Sequence, residues 1–145
     1  MNEELINSSK IAFASSFSFY LKSHNFHWNV EGAAFYQYHK LFQKIYEEVY
    51  GSIDDFAENI RKSGGYVPAS YTRFSALTEI ADETQILPPE EMVLVLLEDA
   101  EHMIGIIKVV YDLAESAGEH GFSNFLAERI DAFRKHAWML RATAK

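Results

Sequence analysis

Cysteine is absent from the 145-residue chain. That excludes a disulfide framework, a thiolate zinc site, an iron–sulfur centre and a cysteine nucleophile. Proline and glycine are scarce, at 3 and 7 residues, which argues against collagen-like, linker-rich and many-turned all-β architectures. Positive charge is in deficit: 13 Lys and Arg against 21 Asp and Glu leave a formal net charge of −8, a poor match for nucleic acid or anionic lipid. No apolar run approaches the ~18 uncharged residues needed to cross a bilayer. Glu3 and Glu4 stand where a signal peptide carries basic residues, so a cytoplasmic protein is expected. What is present, 48% hydrophobic residues of which many are aromatic, suffices for one domain, residues 1–145, with a real core.

Glycine and proline cut the chain into four long blocks. The first, about Glu3 to Asn29, carries Ile6, Phe13, Phe17, Tyr20, His24 and His27 at helical spacing and ends at Val30-Glu31-Gly32. The second, about Ala33 to Ser63, carries Tyr38, Phe42, Ile45, Val49, Ile53, Phe56 and Ile60, and Gly64-Gly65 stop it. A connector from Tyr66 to Leu87 includes a short helix expected around Phe74–Ile80. Pro88-Pro89 followed by Glu90 and Glu91 starts the third block, which Gly118 closes. The fourth runs from about His120 to Thr143. Nothing reads as a strand. Four long helices with a long crossover between the second and third describe an all-α, ferritin-like four-helix bundle.

Candidate chemistry lies on the second helix. His39, Gln43, Asp54 and Glu58 fall at about 0°, 40°, 60° and 100° around its axis, so they share a face. Asp54 and Glu58 are an i,i+4 pair whose carboxylates can converge on one ion. His27 precedes position 33 by as many residues as His39 follows it, so a hairpin turning there sets the two imidazoles at one level. Yet His39 and Asp54 are ~22 Å apart along the axis, and ligand bonds span only ~2–2.5 Å. If the four form one site, two subunits must share it, and a two-fold axis provides this.

The run HNFHWNVEG at residues 24–32, then His39, Asp54-x-x-x-Glu58, Arg61, Gly64-Gly65 and the late KHAWMLRA, is similar to the Dps family of mini-ferritins over nearly the whole chain. The resemblance implies a homo-oligomer, a hollow dodecamer built on two-fold dimers. It implies ferroxidase centres that oxidise Fe2+ with hydrogen peroxide or oxygen and store Fe3+ mineral, with no organic cofactor. His27 and His39 would come from one chain, and Asp54 and Glu58 from its neighbour. Trp28 would donate an electron and contain a radical. His24 is a further candidate for touching the metal, whereas His102, His136 and Asp99 are expected to be structural.

Three departures qualify the resemblance. Gln43 stands where the family usually has Asp, which removes one negative charge, and Glu47 lies ~6 Å further along that face. The positions matching the acidic three-fold pore are Glu115, His120 and Asn124, of which one is an acid. No Lys/Arg-rich tail is present, and twelve chains at −8 each carry about −96 formal charges, so direct DNA binding is not expected. Two alternatives stay open: a Dps-like shell with impaired ferroxidation, acting as a structural or interaction protein, and a monomeric four-helix binding protein. The amide at Gln43 predicts weaker occupation of one of two iron positions. Calorimetric titration of Fe2+ into the iron-free protein should then show fewer than two tight ions per site, and two tight ions would show that the amide does not matter.

Overall fold

The computed structural model describes residues 2–145. Helix α1 spans Glu3–Asn29; its first turn is capped by Asn2, whose side-chain oxygen accepts the Leu5 N–H at 3.0 Å, and Glu3 and Glu4 sit at the positive end of its dipole. Gly32, at φ 125°, reverses the chain, and α2 runs Phe35–Lys62, starting two residues later than its glycine boundary suggests. Beyond α2, the Gly65 N–H bonds the Ile60 carbonyl and Arg61 holds the Gly65 carbonyl at 2.9 Å. A Cβ on Gly65 would come within 2.7 Å of Ile6 and 3.2 Å of Ile60, so only glycine fits where the α2 terminus meets α1.

The short helix of the crossover, α3, spans Tyr71–Leu77, three residues earlier than expected. Two local features move it. The Ser70 side chain caps it by accepting the Arg73 N–H, and Thr78 turns extended, its hydroxyl accepting the Ile80 N–H. Ile80 therefore leaves the helix and is buried as a separate anchor. Phe74 of α3 stacks on Phe17 of α1, with centroids 4.5 Å apart. α4 spans Pro89–Ser116 and α5 spans His120–Thr143, joined through Gly118 at φ 73°. Among the described residues no strand occurs and no helix is long and apolar enough to cross a membrane.

α1 packs against α2 and α4, and α4 against α5, around a core containing Phe19, Phe26, Phe42, Phe56, Phe133, Leu96 and Met103. Small residues let α1 approach closely: Ala12, Ala14, Ser15 and Ser16 are all buried. The hydroxyls of Ser9 and Ser16 donate back to the carbonyls of Leu5 and Ala12, so these buried polar groups are satisfied. Asp99, which interrupts the α4 stripe, accepts a 2.7 Å bond from buried Lys22 of α1. It is structural, as its surroundings in the sequence suggest.

α2 and α5 are tied by a second polar cluster. Arg129 grips both carboxylate oxygens of Glu48, at 2.5 and 3.0 Å, and His136 Nε2 lies 2.8 Å from the same carboxylate. Burial alone would raise the Glu48 pKa, but the His136 and Arg129 hydrogen bonds and charges outweigh it and bring it down to about 2. A depressed carboxylate pKa contributes stability that is complete above the unfolded value near 4.5 and is lost as pH falls through about 2. Because the Glu48 side chain is 39% exposed, Glu48→Gln should cost about 1–2 kcal/mol at neutral pH after allowance for screening. Denaturant melts between pH 7 and pH 2 should show the gap between the two proteins closing at the acid end; a gap independent of pH would contradict this account.

Candidate metal centre

The α1–α2 hairpin brings His27 and His39 face to face, with ring centroids 3.7 Å apart and planes inclined by 16°. Each imidazole is held by the backbone of the other helix. His27 Nδ1 is 2.8 Å from the His39 carbonyl, and His39 Nδ1 is 2.7 Å from the His27 carbonyl. A carbonyl oxygen can only accept, so both Nδ1 atoms must carry the hydrogen. A neutral ring then keeps its lone pair on Nε2, the form in which imidazole binds a metal, with the opposite nitrogen fixed by a hydrogen bond. His27 is buried, and Phe35 covers the other face of His39 at 4.8 Å. Both rings are thereby restricted to one orientation.

His24 sits one turn before His27 in an aromatic sandwich. Trp28 stacks on it at 3.7 Å and Tyr46 of α2 at 3.8 Å, the latter inclined by only 8°. Tyr46 also meets His27 edge-on at 5.0 Å. The Nδ1 of His24 is 2.9 Å from the Tyr20 hydroxyl. Burial, and then the neighbouring His27, hold its pKa below the ordinary histidine value, so it favours the neutral form. Trp28, 62% exposed, covers this stack from the solvent side.

At the far end of α2, ligand oxygens of Asp54, Asp55 and Glu58 lie within 4.8 Å of one another, all three residues exposed. Asp55, adjacent to Asp54 in the chain, joins the Asp54–Glu58 pair that the i,i+4 spacing picks out. The structure thus unites the two histidines and, separately, the carboxylates. It does not unite the two groups, since ~22 Å of α2 lies between His39 and Asp54. Gln43 is half-buried, and its amide nitrogen donates to Glu47 at 2.8 Å.

At the α4–α5 corner, Glu115, His120 and Asn124 line a depression of about 190 Å³ together with Tyr111 and Ser123. The Ser123 hydroxyl donates to Glu115 at 2.7 Å. His102, by contrast, lies on the surface 3.5 Å from Glu79, and His136 is taken up by Glu48.

A family model described as "Ferritin-like domain" matches residues 11–145, and it sets the class: a ferritin-like helical protein. The DNA protection during starvation protein of Brevibacillus brevis is 34% identical over 123 residues, covering 85% of this chain and 83% of its own. Its counterpart in Helicobacter pylori is 30% identical over 130 residues, covering 89% of this chain and 90% of its own. The crystal structure of a Dps protein from Bacillus brevis matches with a TM-score of 0.94 at 30% identity, covering 100% of both chains. The chain belongs to the Dps branch of the ferritin-like family.

The reciprocal bonds make a prediction that needs no iron. In protein carrying 15N-labelled histidine at neutral pH, the resonances of His27 and His39 should report hydrogen on Nδ1, and zinc should perturb Nε2. An Nε2–H tautomer at either residue would contradict the geometry.

Proposed function

We propose that this protein is an iron-oxidising and iron-storing mini-ferritin whose reaction centres form only between subunits. His27 and His39 of one chain face Asp54 and Glu58 of the partner subunit across a two-fold axis, and the dimers build a hollow dodecamer. Fe2+ is the substrate and hydrogen peroxide, or oxygen, the oxidant. Two ferrous ions supply the two electrons that reduce one peroxide to two waters, with two protons consumed. The ferric product is stored in the interior. Shielding the cell from peroxide and free iron follows from removing both reactants together.

The observation that carries this reading is the pair of imidazoles fixed with both Nε2 lone pairs free. Imidazole and carboxylate suit ferrous iron while leaving positions for an oxidant. Carboxylates also offset the charge gained when the ion becomes ferric. The acidic group on α2 has the complementary chemistry, and a two-fold axis is the commonest way to bring two different patches of one surface together twice. Trp28, stacked on His24 one turn before His27, supplies an electron when the oxidant generates a radical.

The second reading, a shell with weak ferroxidation, draws on Gln43. Its amide replaces a negative charge, and its nitrogen, which cannot ligate, is taken up by Glu47 at 2.8 Å. The negative charge of the assembly opposes DNA binding in either case.

Subunit complementation separates these readings from each other and from an intrachain site. A chain carrying His27→Ala and His39→Ala, and another carrying Asp54→Ala and Glu58→Ala, should each oxidise Fe2+ no faster than buffer. Unfolded and reassembled together in equal amounts, they should recover about a quarter of the wild-type rate, the share of sites that random pairing leaves with both halves intact. No recovery in a properly assembled mixture would contradict sharing, and a wild-type rate equal to buffer would favour the shell.

A further inference from the structure

The Trp28–His24–Tyr46 stack continues beyond the residues that the proposed iron chemistry requires. Tyr20, one turn before His24 on α1, lies with its ring 5.5 Å from His24, 4.9 Å from Tyr50 and 6.2 Å from Tyr46. Its hydroxyl is the one placed 2.9 Å from His24 Nδ1. Of the two groups, phenol is the better proton donor and neutral imidazole the better acceptor, so the Tyr20 O–H donates and the His24 hydrogen resides on Nε2. A tyrosine oxidised by one electron must release its phenolic proton. Tyr20 is half-buried, and its proton has an acceptor already in hydrogen-bonding contact.

We infer that Tyr20 and His24 form a proton-coupled electron donor, which takes over the oxidising equivalent first received by Trp28 and carries it away from the metal centre. The inference rests on the proposed function for its natural oxidant: ferrous iron cleaving hydrogen peroxide to hydroxide and hydroxyl radical. The hydroxyl radical takes one electron from Trp28 and becomes hydroxide, leaving a Trp28 radical cation. Trp28 regains its electron from Tyr20 across the His24 ring, which touches both. As the electron leaves, the Tyr20 O–H bond breaks and an N–H bond forms at His24 Nδ1, giving a neutral tyrosyl radical beside an imidazolium. A further Fe2+ then supplies one electron, His24 returns the proton, and the pair is restored with one more Fe3+ formed.

The geometry singles out Tyr20 among the nearby tyrosines. Tyr46 stacks more closely on His24, but the hydroxyl that meets an imidazole nitrogen is that of Tyr20.

The test needs no iron. In a Trp138→Phe background, Trp28 is the sole tryptophan, and azide radicals generated by pulse radiolysis oxidise tryptophan selectively at neutral pH. The tryptophanyl absorption should decay in a first-order, concentration-independent step into the narrow tyrosyl band. Adding Tyr20→Phe should abolish that step, whereas Tyr46→Phe should retain it. His24→Phe, which keeps a ring in the stack but removes the acceptor, should slow it by roughly a hundredfold, the usual worth of a positioned proton acceptor. Deuterated water should slow the step in the otherwise unaltered protein, a readout that depends on no variant folding.

Persistence of the tyrosyl signal without Tyr20, or an unchanged rate in both His24→Phe and deuterated water, would overturn the inference. A parallel arm with Fe2+ and peroxide, read by electron paramagnetic resonance of frozen samples, keeps the two readings apart. Rapid iron oxidation with no Tyr20-dependent radical in either arm sinks the relay alone. Radical transfer after the pulse with iron oxidised no faster than in buffer sinks the ferroxidase reading instead.

Discussion

The pair of hydrogen bonds that cross the α1–α2 hairpin is the constraint on which the candidate metal centre depends. Each histidine is oriented by the other's backbone carbonyl, so neither ring can be placed without the hairpin register that places both. That register follows in turn from Gly32, which permits the reversal, and from Phe26 and Phe42, which are buried on facing sides of the two helices. Sequence, backbone and proton position are thus linked in one chain of cause: the turn sets the level, the level sets the carbonyls, and the carbonyls set the tautomer. A histidine pair on flexible side chains would lose conformational entropy on binding an ion. Here much of that loss is taken on folding.

Around this hairpin the bundle serves as a rigid support with two further polar ties. Lys22 joins α1 to α4 through Asp99, and Arg129 with His136 joins α5 to α2 through Glu48. The two ties differ in character. Asp99 is enclosed enough for burial to raise its pKa despite Lys22, whereas Glu48 has two donors and a pKa well below the ordinary one. Both fix the angular setting of helices whose aromatic cores alone would permit some sliding.

Much of this was legible in the chain because helical period and glycine punctuation are local signals. The four long helices, the matched level of His27 and His39 and the structural role of Asp99 all follow from spacing. The position of α3 was not legible, because a serine cap and a threonine turn decided it against the apolar pattern that pointed to Phe74–Ile80. Nor was the Glu48 cluster, whose members lie 81 and 88 residues apart and meet only after α5 has docked. The sandwich around His24 was half legible: Trp28 and Tyr20 lie one turn away on either side, but Tyr46 arrives from another helix. The Dps-like motifs run through nearly the whole chain and place it in that branch, while the proposed sharing of a metal between subunits is a property that one chain can only prepare.

The acidic end of α2 has a mechanical consequence. Asp54, Asp55 and Glu58 bring their oxygens within 4.8 Å of one another, and Arg61 and Lys62 follow them in the last turn of the helix. The terminus beyond them is held by the tight fit of Gly65 against Ile6 and Ile60. A divalent cation settling among these like charges would offset their mutual repulsion and so brace the end of α2.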